Sequence, residues 1–199
     1  MPVLASAPPA RPRRGWHPTL VVALVAALAV ALALAAGCGA TATGGDALRA
    51  GPVGPTTAAT VVRVVDGDTI VVRARDADRE ETVRLIGIDT PETKKPDTPV
   101  ECFGREASTH LQELLPAGAA VRLEADAEPR DRYGRTLAYV HRDDGLFVNL
   151  AMVADGFANQ LTIPPNVTHE PALRAAVRAA RDADAGLWGA CPSPHSPAS

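Results

Sequence analysis

The feature that most limits the fold of this chain is a pair of β-branched runs, 60–65 and 69–75, separated only by Asp66-Gly67-Asp68. Valine, isoleucine and threonine carry two heavy atoms on Cβ, which crowds a helix and suits an extended strand. Asp-Gly between two such runs signals a hairpin, because glycine accepts the positive φ that a tight turn asks for. Residues 81–88 then alternate polar and apolar through Thr82, Val83, Arg84 and Leu85 before turning wholly apolar, and read as a third strand. Residues 119–125 and 136–142 supply a fourth and a fifth. Helical spacing appears in three places. Ala107, Leu111, Leu114 and Leu115 share one face over 104–115, which Pro116 stops. Two more helices, 148–154 and 172–184, end at Gly156 and Gly186. Five short strands interleaved with three helices make an α+β chain compatible with a five-stranded Greek-key β-barrel of the OB-fold type. Patterning alone leaves other α+β folds open.

The flanks are of a different kind. Residues 1–18 carry Arg11, Arg13 and Arg14 and no acid, and 19–36 is an almost unbroken apolar run ending in Gly37-Cys38-Gly39. A positive start, an apolar middle and small residues at the end describe an export signal, so the protein is expected outside the cytoplasm. Leu34-Ala35-Ala36-Gly37-Cys38 resembles the lipobox of bacterial lipoproteins, with Ala35 where a large aliphatic residue is usual. A cell-surface protein lipidated at Cys38 is the first expectation. Cleavage at a nearby small residue and an uncleaved anchor are the alternatives, since the run is long enough to span a bilayer. Residues 1–38 are thus signal or anchor. Residues 39–55, rich in Gly, Ala, Thr and Pro, read as a flexible tether with a reach of about 20–25 Å. The folded domain is 56–191, and 192–199 reads as a disordered tail.

If lipid consumes Cys38, Cys102 and Cys191 remain as an even pair in an oxidising compartment, and a disulfide is the natural reading; two free thiols are the alternative. Neither lies in a zinc-type spacing. Charge excludes a protein that grips nucleic acid through a broad basic surface. From 56 to 191 there are 16 lysines and arginines against 22 acids, a balance of −6. Any such binding must rest on a local site.

Two acidic segments and two arginines supply one. Asp68 ends the predicted hairpin turn, and Asp89-Thr90-Pro91-Glu92 follows an apolar strand end, with Pro91 fixing one φ between the carboxylates of Asp89 and Glu92. Carboxylates and a backbone carbonyl are the oxygen ligands that a hard cation such as Ca2+ takes. Arg84 precedes Asp89 on the same predicted strand, and Arg135 leaves the turn Asp131-Arg132-Tyr133-Gly134. Guanidinium groups stay charged and match phosphate oxygens in pairs. Singly, each of these features is commonplace on a protein surface. Together they are the inventory of phosphodiester hydrolysis: a Lewis acid, a base for water and cations for the developing charge.

Val65–Thr69, Arg84-Leu85-Ile86-Gly87-Ile88-Asp89-Thr90-Pro91-Glu92-Thr93 and the stretch from Asp131 to Tyr139 resemble, in order and separation, the three signature segments of the thermonuclease (staphylococcal-nuclease-like) family. Val148-Asn149, Ala158 and Asn166-Val167-Thr168-His169-Glu170 extend the likeness. The resemblance implies an OB-type barrel and Ca2+ as cofactor, held by Asp68, Asp89 and the Thr90 carbonyl. It implies Glu92 as the residue that manages the attacking water and Arg84 and Arg135 as phosphate clamps. Tyr133 would touch the nucleotide of a DNA or RNA substrate, cleavage would leave 3′-phosphate and 5′-hydroxyl ends, and a monomer is expected. Both arginines are expected to project into solvent. One departure stands out: Asn159–Pro165 holds no aromatic residue where better-known relatives place them beside the base. A non-catalytic nucleic-acid- or protein-binding module on the same fold, or a surface lipoprotein that merely binds calcium, are the competing classes.

Overall fold

A computed structural model describes residues 48–75, 79–93 and 99–193. The expected signal segment, the first part of the tether and residues 194–199 of the tail lie outside the described residues. Within them, five strands close a barrel: β1 (Thr56–Val64), β2 (Thr69–Ala74), β3 (Glu80–Leu85), β5 (Ala120–Glu124) and β6 (Thr136–Arg142). Their order around the barrel is β1-β2-β3-β6-β5, with β5 pairing back onto β1. The β3–β6 pair is parallel, Val83 opposite Thr136, and the other pairs are antiparallel. This is the OB-type Greek key that the sequence predicts, and closure leaves the five strands no open edge.

Val61, Ile70, Val72, Val83, Leu85 and Val140 are buried in the core. Helix α1 (Gly104–Leu114) packs against β1 and buries Ala107 and Leu111. Truncating a fully buried leucine such as Leu111 to alanine costs roughly 2–5 kcal/mol. Helix α2 (Val148–Ala154) lies against β6 and against α3 (Glu170–Asp182), whose Leu173 and Val177 are also buried. Helix α3 starts two residues earlier than periodicity suggests, because Pro171 is tolerated in a first helical turn. A fourth helix, α4 (Leu187–Ala190), is too short to show in the apolar spacing.

Two further differences matter for function. The predicted third strand, 81–88, stops at Leu85. Gly87, at φ 79°, bends the chain, and the short β4 (Ile88–Asp89) turns away to pair with β7 (Asn159–Gln160). A Cβ on Gly87 would stand 2.5 Å from Leu173 Cδ1, so glycine is required here by packing as well as by φ. The second difference is in the expected tether, which is docked over residues 48–55. The Phe147 amide donates to the Leu48 carbonyl, and the Val53 and Gly54 amides donate to the buried Glu124 carboxylate. Gly and Pro content gave no hint of that acceptor. Cys102 and Cys191 are joined, Cα to Cα 6.0 Å, tying the loop before α1 to the end of α4.

Candidate active site

The hairpin turn is wider than two residues. Val65 and Asp66 both donate to the Thr69 carbonyl, and Gly67 has no positive φ. Its role is the missing side chain: a Cβ there would lie 2.6 Å from Thr90 Oγ1. Thr90 therefore sits on the turn, and the Asp68 carboxylate receives it. Asp68 Oδ2 accepts from the Thr90 amide and hydroxyl, each at 3.2 Å, and Oδ1 accepts from the Thr69 hydroxyl at 3.0 Å.

Arg84 completes the cluster. The bend at Gly87 brings Asp89 back beside it, so that Nη2 lies 3.0 Å from Asp68 Oδ2 and 3.2 Å from Asp89 Oδ1. Nη1 donates to the Leu85 and Ile88 carbonyls at 3.0 Å each. Contrary to the expectation from sequence, this side chain does not project into solvent; it is 15% exposed and four times bonded. Buried Asn149 holds the bend from behind, donating to the Ile86 carbonyl at 2.8 Å and accepting from the Val140 amide at 2.9 Å.

Negative charge is under-neutralised here. Burial is the largest influence on Asp68, and with repulsion from Asp66 and Asp89 it pushes the carboxyl up to about 6 despite Arg84 and the Thr90 amide. A cation placed among these oxygens relieves that repulsion. Asp68, Asp89 and the Thr90 carbonyl therefore fit a hard divalent ion by donor type and by charge.

Arg84 also lines a cleft of about 450 Å³ with Asp131, Tyr133, Arg135, Leu161 and Ile163. Arg135 Nε donates to Asp131 Oδ2 at 2.6 Å, while its terminal nitrogens have no hydrogen-bond partner among the described residues. Burial would raise Asp131, but the hydrogen bonds from the Arg135 side chain and backbone hold it below the ordinary aspartate range. Tyr133 is 70% exposed, its ring under the guanidinium groups of Arg132 and Arg135 at 4.8 and 5.6 Å. Leu161 and Ile163, both exposed, add aliphatic lining to the cleft.

Glu92 stands on the loop beyond Thr90. Its amide donates to Glu101 Oε2 at 2.9 Å, and its Oε1 accepts from the Thr93 amide at 2.8 Å. The structure thus joins Asp68, Arg84, Asp89 and Thr90 in one hydrogen-bonded cluster, places Tyr133 and Arg135 across the same cleft as Arg84, and ties Glu92 into its own loop. Sequence reasoning missed four supports: Gly67 as a close-approach residue, Asn149, Asp131 and Glu101. Asp131, Asn149 and Gly67 stood inside the segments that carry the family likeness, but nothing local gave their supporting roles; Glu101 had no signal. Asn166, in a glycosylation-type triplet, is buried and spends its amide on the Glu128 backbone, accepting at 2.7 Å and donating at 2.9 Å.

Fold and site together define an OB-type barrel that sets an acidic, cation-seeking cluster beside two arginines. Residues 82–190 match the family model described as staphylococcal nuclease homologue. The chain is 44% identical over 129 residues to the thermonuclease of Staphylococcus intermedius, covering 64% of this chain and 74% of that one. It is 41% identical to the thermonuclease of Staphylococcus hyicus over 64% and 73% of the two chains. To the endonuclease YncB of Bacillus subtilis (strain 168) it is 37% identical over 131 residues, 65% of this chain and 60% of that one. The chain belongs to the staphylococcal nuclease homologue family.

Proposed function

We propose that the protein is an exported, Ca2+-dependent nuclease that hydrolyses phosphodiester bonds of DNA or RNA, leaving 3′-phosphate and 5′-hydroxyl ends. The observation that carries this reading is the convergence of Asp68, Asp89, Thr90 and Arg84 next to a cleft shared with Arg135. Relatives named thermonuclease and endonuclease support it.

Asp68, Asp89 and the Thr90 carbonyl hold the ion, which supplies Lewis-acid polarisation of the phosphate when bound. Arg84 keeps its place through Nη1, so Nη2 is the donor that exchanges a carboxylate for a phosphate oxygen. Arg135, fixed through Nε by Asp131, offers its terminal nitrogens to the same phosphate. Glu92 takes a proton from water as the water oxygen attacks phosphorus. The bond to the 5′-oxygen breaks, and that oxygen leaves as an alkoxide that takes a proton from solvent water to become the 5′-hydroxyl. Aliphatic Leu161 and Ile163 give no aromatic platform, so base contacts fall to Tyr133. Base–aromatic stacking is worth roughly 1–3 kcal/mol per base, and short nucleotides are expected to bind weakly.

Export rests on the N-terminal pattern, with Cys38 as the lipidated residue of a surface-tethered monomer. Replacing Cys38 by serine should move the protein from the membrane fraction to unprocessed precursor; wild-type protein wholly in the medium would show secretion instead. The activity is tested by digesting single-stranded DNA, duplex DNA and RNA with Ca2+ and with EDTA, and by reading the product ends. Calcium-dependent release of fragments with 3′-phosphates is expected. Full activity in EDTA, or 5′-phosphate ends, contradicts the reading. Binding without cleavage in Ca2+ points to the non-catalytic module.

A further inference from the structure

Glu124 ends β5, and its carboxylate is fully buried. Oε1 accepts from the Val53 and Gly54 amides at 3.0 and 2.9 Å. Oε2 faces two imidazole nitrogens: His141 Nε2 at 2.8 Å, from β6, and His169 Nε2 at 3.0 Å, from the residue that precedes α3. All three residues are buried, and their facing atoms lie within 4.8 Å of one another. None of them lines the nuclease cleft.

Hydrogen bonding alone leaves this cluster unresolved. His141 Nδ1 is buried against the Ala50 backbone, an interaction that favours a proton on that nitrogen, yet it makes no hydrogen bond of good geometry. If the proton sits on Nε2 to satisfy Glu124, Nδ1 is an orphaned acceptor. If it sits on Nδ1, the Nε2 lone pair confronts a carboxylate oxygen 2.8 Å away. Burial holds His141 below the ordinary histidine range, so at neutral pH an imidazolium does not settle the conflict.

A cation between the three groups does settle it. The surroundings are apolar and aromatic: Phe147 stacks on His141 at 4.6 Å and lies 4.7 Å from His169, and Tyr139 meets His169 edge-on at 4.5 Å. Two imidazoles and one carboxylate are the donor set of a borderline first-row ion, whereas hard Ca2+ prefers oxygen alone. The two amides on Glu124 Oε1 are outer hydrogen bonds of the kind that orient a carboxylate ligand. Ligand bonds of about 2.1 Å on a tetrahedral ion set the ligand atoms roughly 3.4 Å apart. The two oxygen–nitrogen separations, 2.8 and 3.0 Å, would open by roughly half an ångström to reach that spacing, and the two imidazole nitrogens lie within 4.8 Å of each other.

We propose that Glu124, His141 and His169 form a second metal site, selective for a borderline divalent ion of the Zn2+ type, which staples the segment before β1, the β5–β6 end of the barrel and the start of α3. It is independent of the nuclease reading. The test uses the full-length chain carrying Asp68→Asn and Asp89→Asn, which silences the other carboxylate set, after chelator stripping. Zn2+ should remain bound at about one ion per chain after desalting and raise Tm by roughly 5–10 °C at saturation, with no such rise from Ca2+. Co2+ in its place should show the visible bands of a low-coordinate nitrogen–oxygen site. His141→Gln or His169→Gln on that background should remove the retained ion, the bands and the Tm gain. Should a glutamine variant fail to fold, the Co2+ spectrum of the chain with both histidines still decides. No bands and no retained Zn2+ in that chain, or both unchanged in the histidine variants, overturns the site and leaves a hydrogen-bonded triad.

Discussion

Asp68 and Glu124 are buried carboxylates at strand ends of one barrel, and their surroundings push them in opposite directions. Burial is the leading influence on both and acts to raise both. Around Asp68 it is reinforced by Asp66 and Asp89, and the carboxyl rises to about 6. Around Glu124 it is outweighed by hydrogen bonds from His169, His141 and the Val53 amide, and the carboxyl falls below the ordinary glutamate range. Burial sets a cost common to the two, and each carboxylate has four donors, so neighbouring charge makes the difference. Where carboxylates crowd together, as at Asp68, the excess negative charge suits a hard cation. Where donors and imidazoles surround a lone carboxylate, as at Glu124, it stays ionised and ties segments together.

The largest effects should appear at the two arginines. Arg135→Ala is expected to lose ~10²–10³ in kcat, the usual effect of removing one transition-state donor, with Tm near wild type because the side chain has one ion pair at the surface. Arg84→Ala should lose as much activity and also roughly 3–5 kcal/mol of stability, since it removes the part-buried guanidinium that offsets the charge of Asp68 and Asp89. Steady-state kinetics beside urea unfolding separates the two; equal stability in both variants breaks the contrast. Glu92→Ser should cut kcat by about 10²-fold, the usual size of a lost general base, while the calcium midpoint stays in place.

Smaller effects sharpen the comparison through pH. Asp68 ionises near 6 when folded and at 3.8 when unfolded, so the folded state binds its proton more tightly. Its contribution to stability is fully present below 3.8 and is lost as pH rises through about 6. Metal-free Asp68→Asn should then be more stable than wild type above that pH, by up to roughly 2–3 kcal/mol, with the gap closing in acid. Glu124→Gln should do the reverse, losing roughly 1–3 kcal/mol at neutral pH, because one amide oxygen cannot serve both the Val53 and Gly54 amides and the facing imidazoles. Denaturant melts at several pH values check both, and stabilisation by Glu124→Gln would erase the distinction.

The barrel could be read ahead of the structure because its cues are local. β-Branched runs placed β1 and β2 within a few residues, the strands read over 119–125 and 136–142 match β5 and β6, and apolar spacing placed α1. The carboxylates and arginines were also visible, being residue types whose chemistry is the same in any setting. What the sequence hid is long-range. Arg84 turns inward because a bend three residues later returns Asp89 to it, and no local pattern announces that. Gly67 looked like a turn residue yet answers to Thr90, 23 positions on, and the glycines and prolines before β1 gave no sign of docking on Glu124. The Glu124 triad draws on three separate elements and has no spacing motif at all.

The central claim is that the Asp68 cluster, and not the Glu124 cluster, carries the metal dependence of cleavage. A calcium titration of single-stranded DNA cleavage tests it directly, run side by side on wild type, Asp68→Ala and Glu124→Gln under conditions where all three are folded. Asp68→Ala should move the calcium midpoint upward by about tenfold or more, the size of effect that losing a single charged ligand worth over 1.4 kcal/mol produces, with Glu124→Gln superimposed on wild type. A midpoint that shifts in Glu124→Gln and stays fixed in Asp68→Ala would contradict the account.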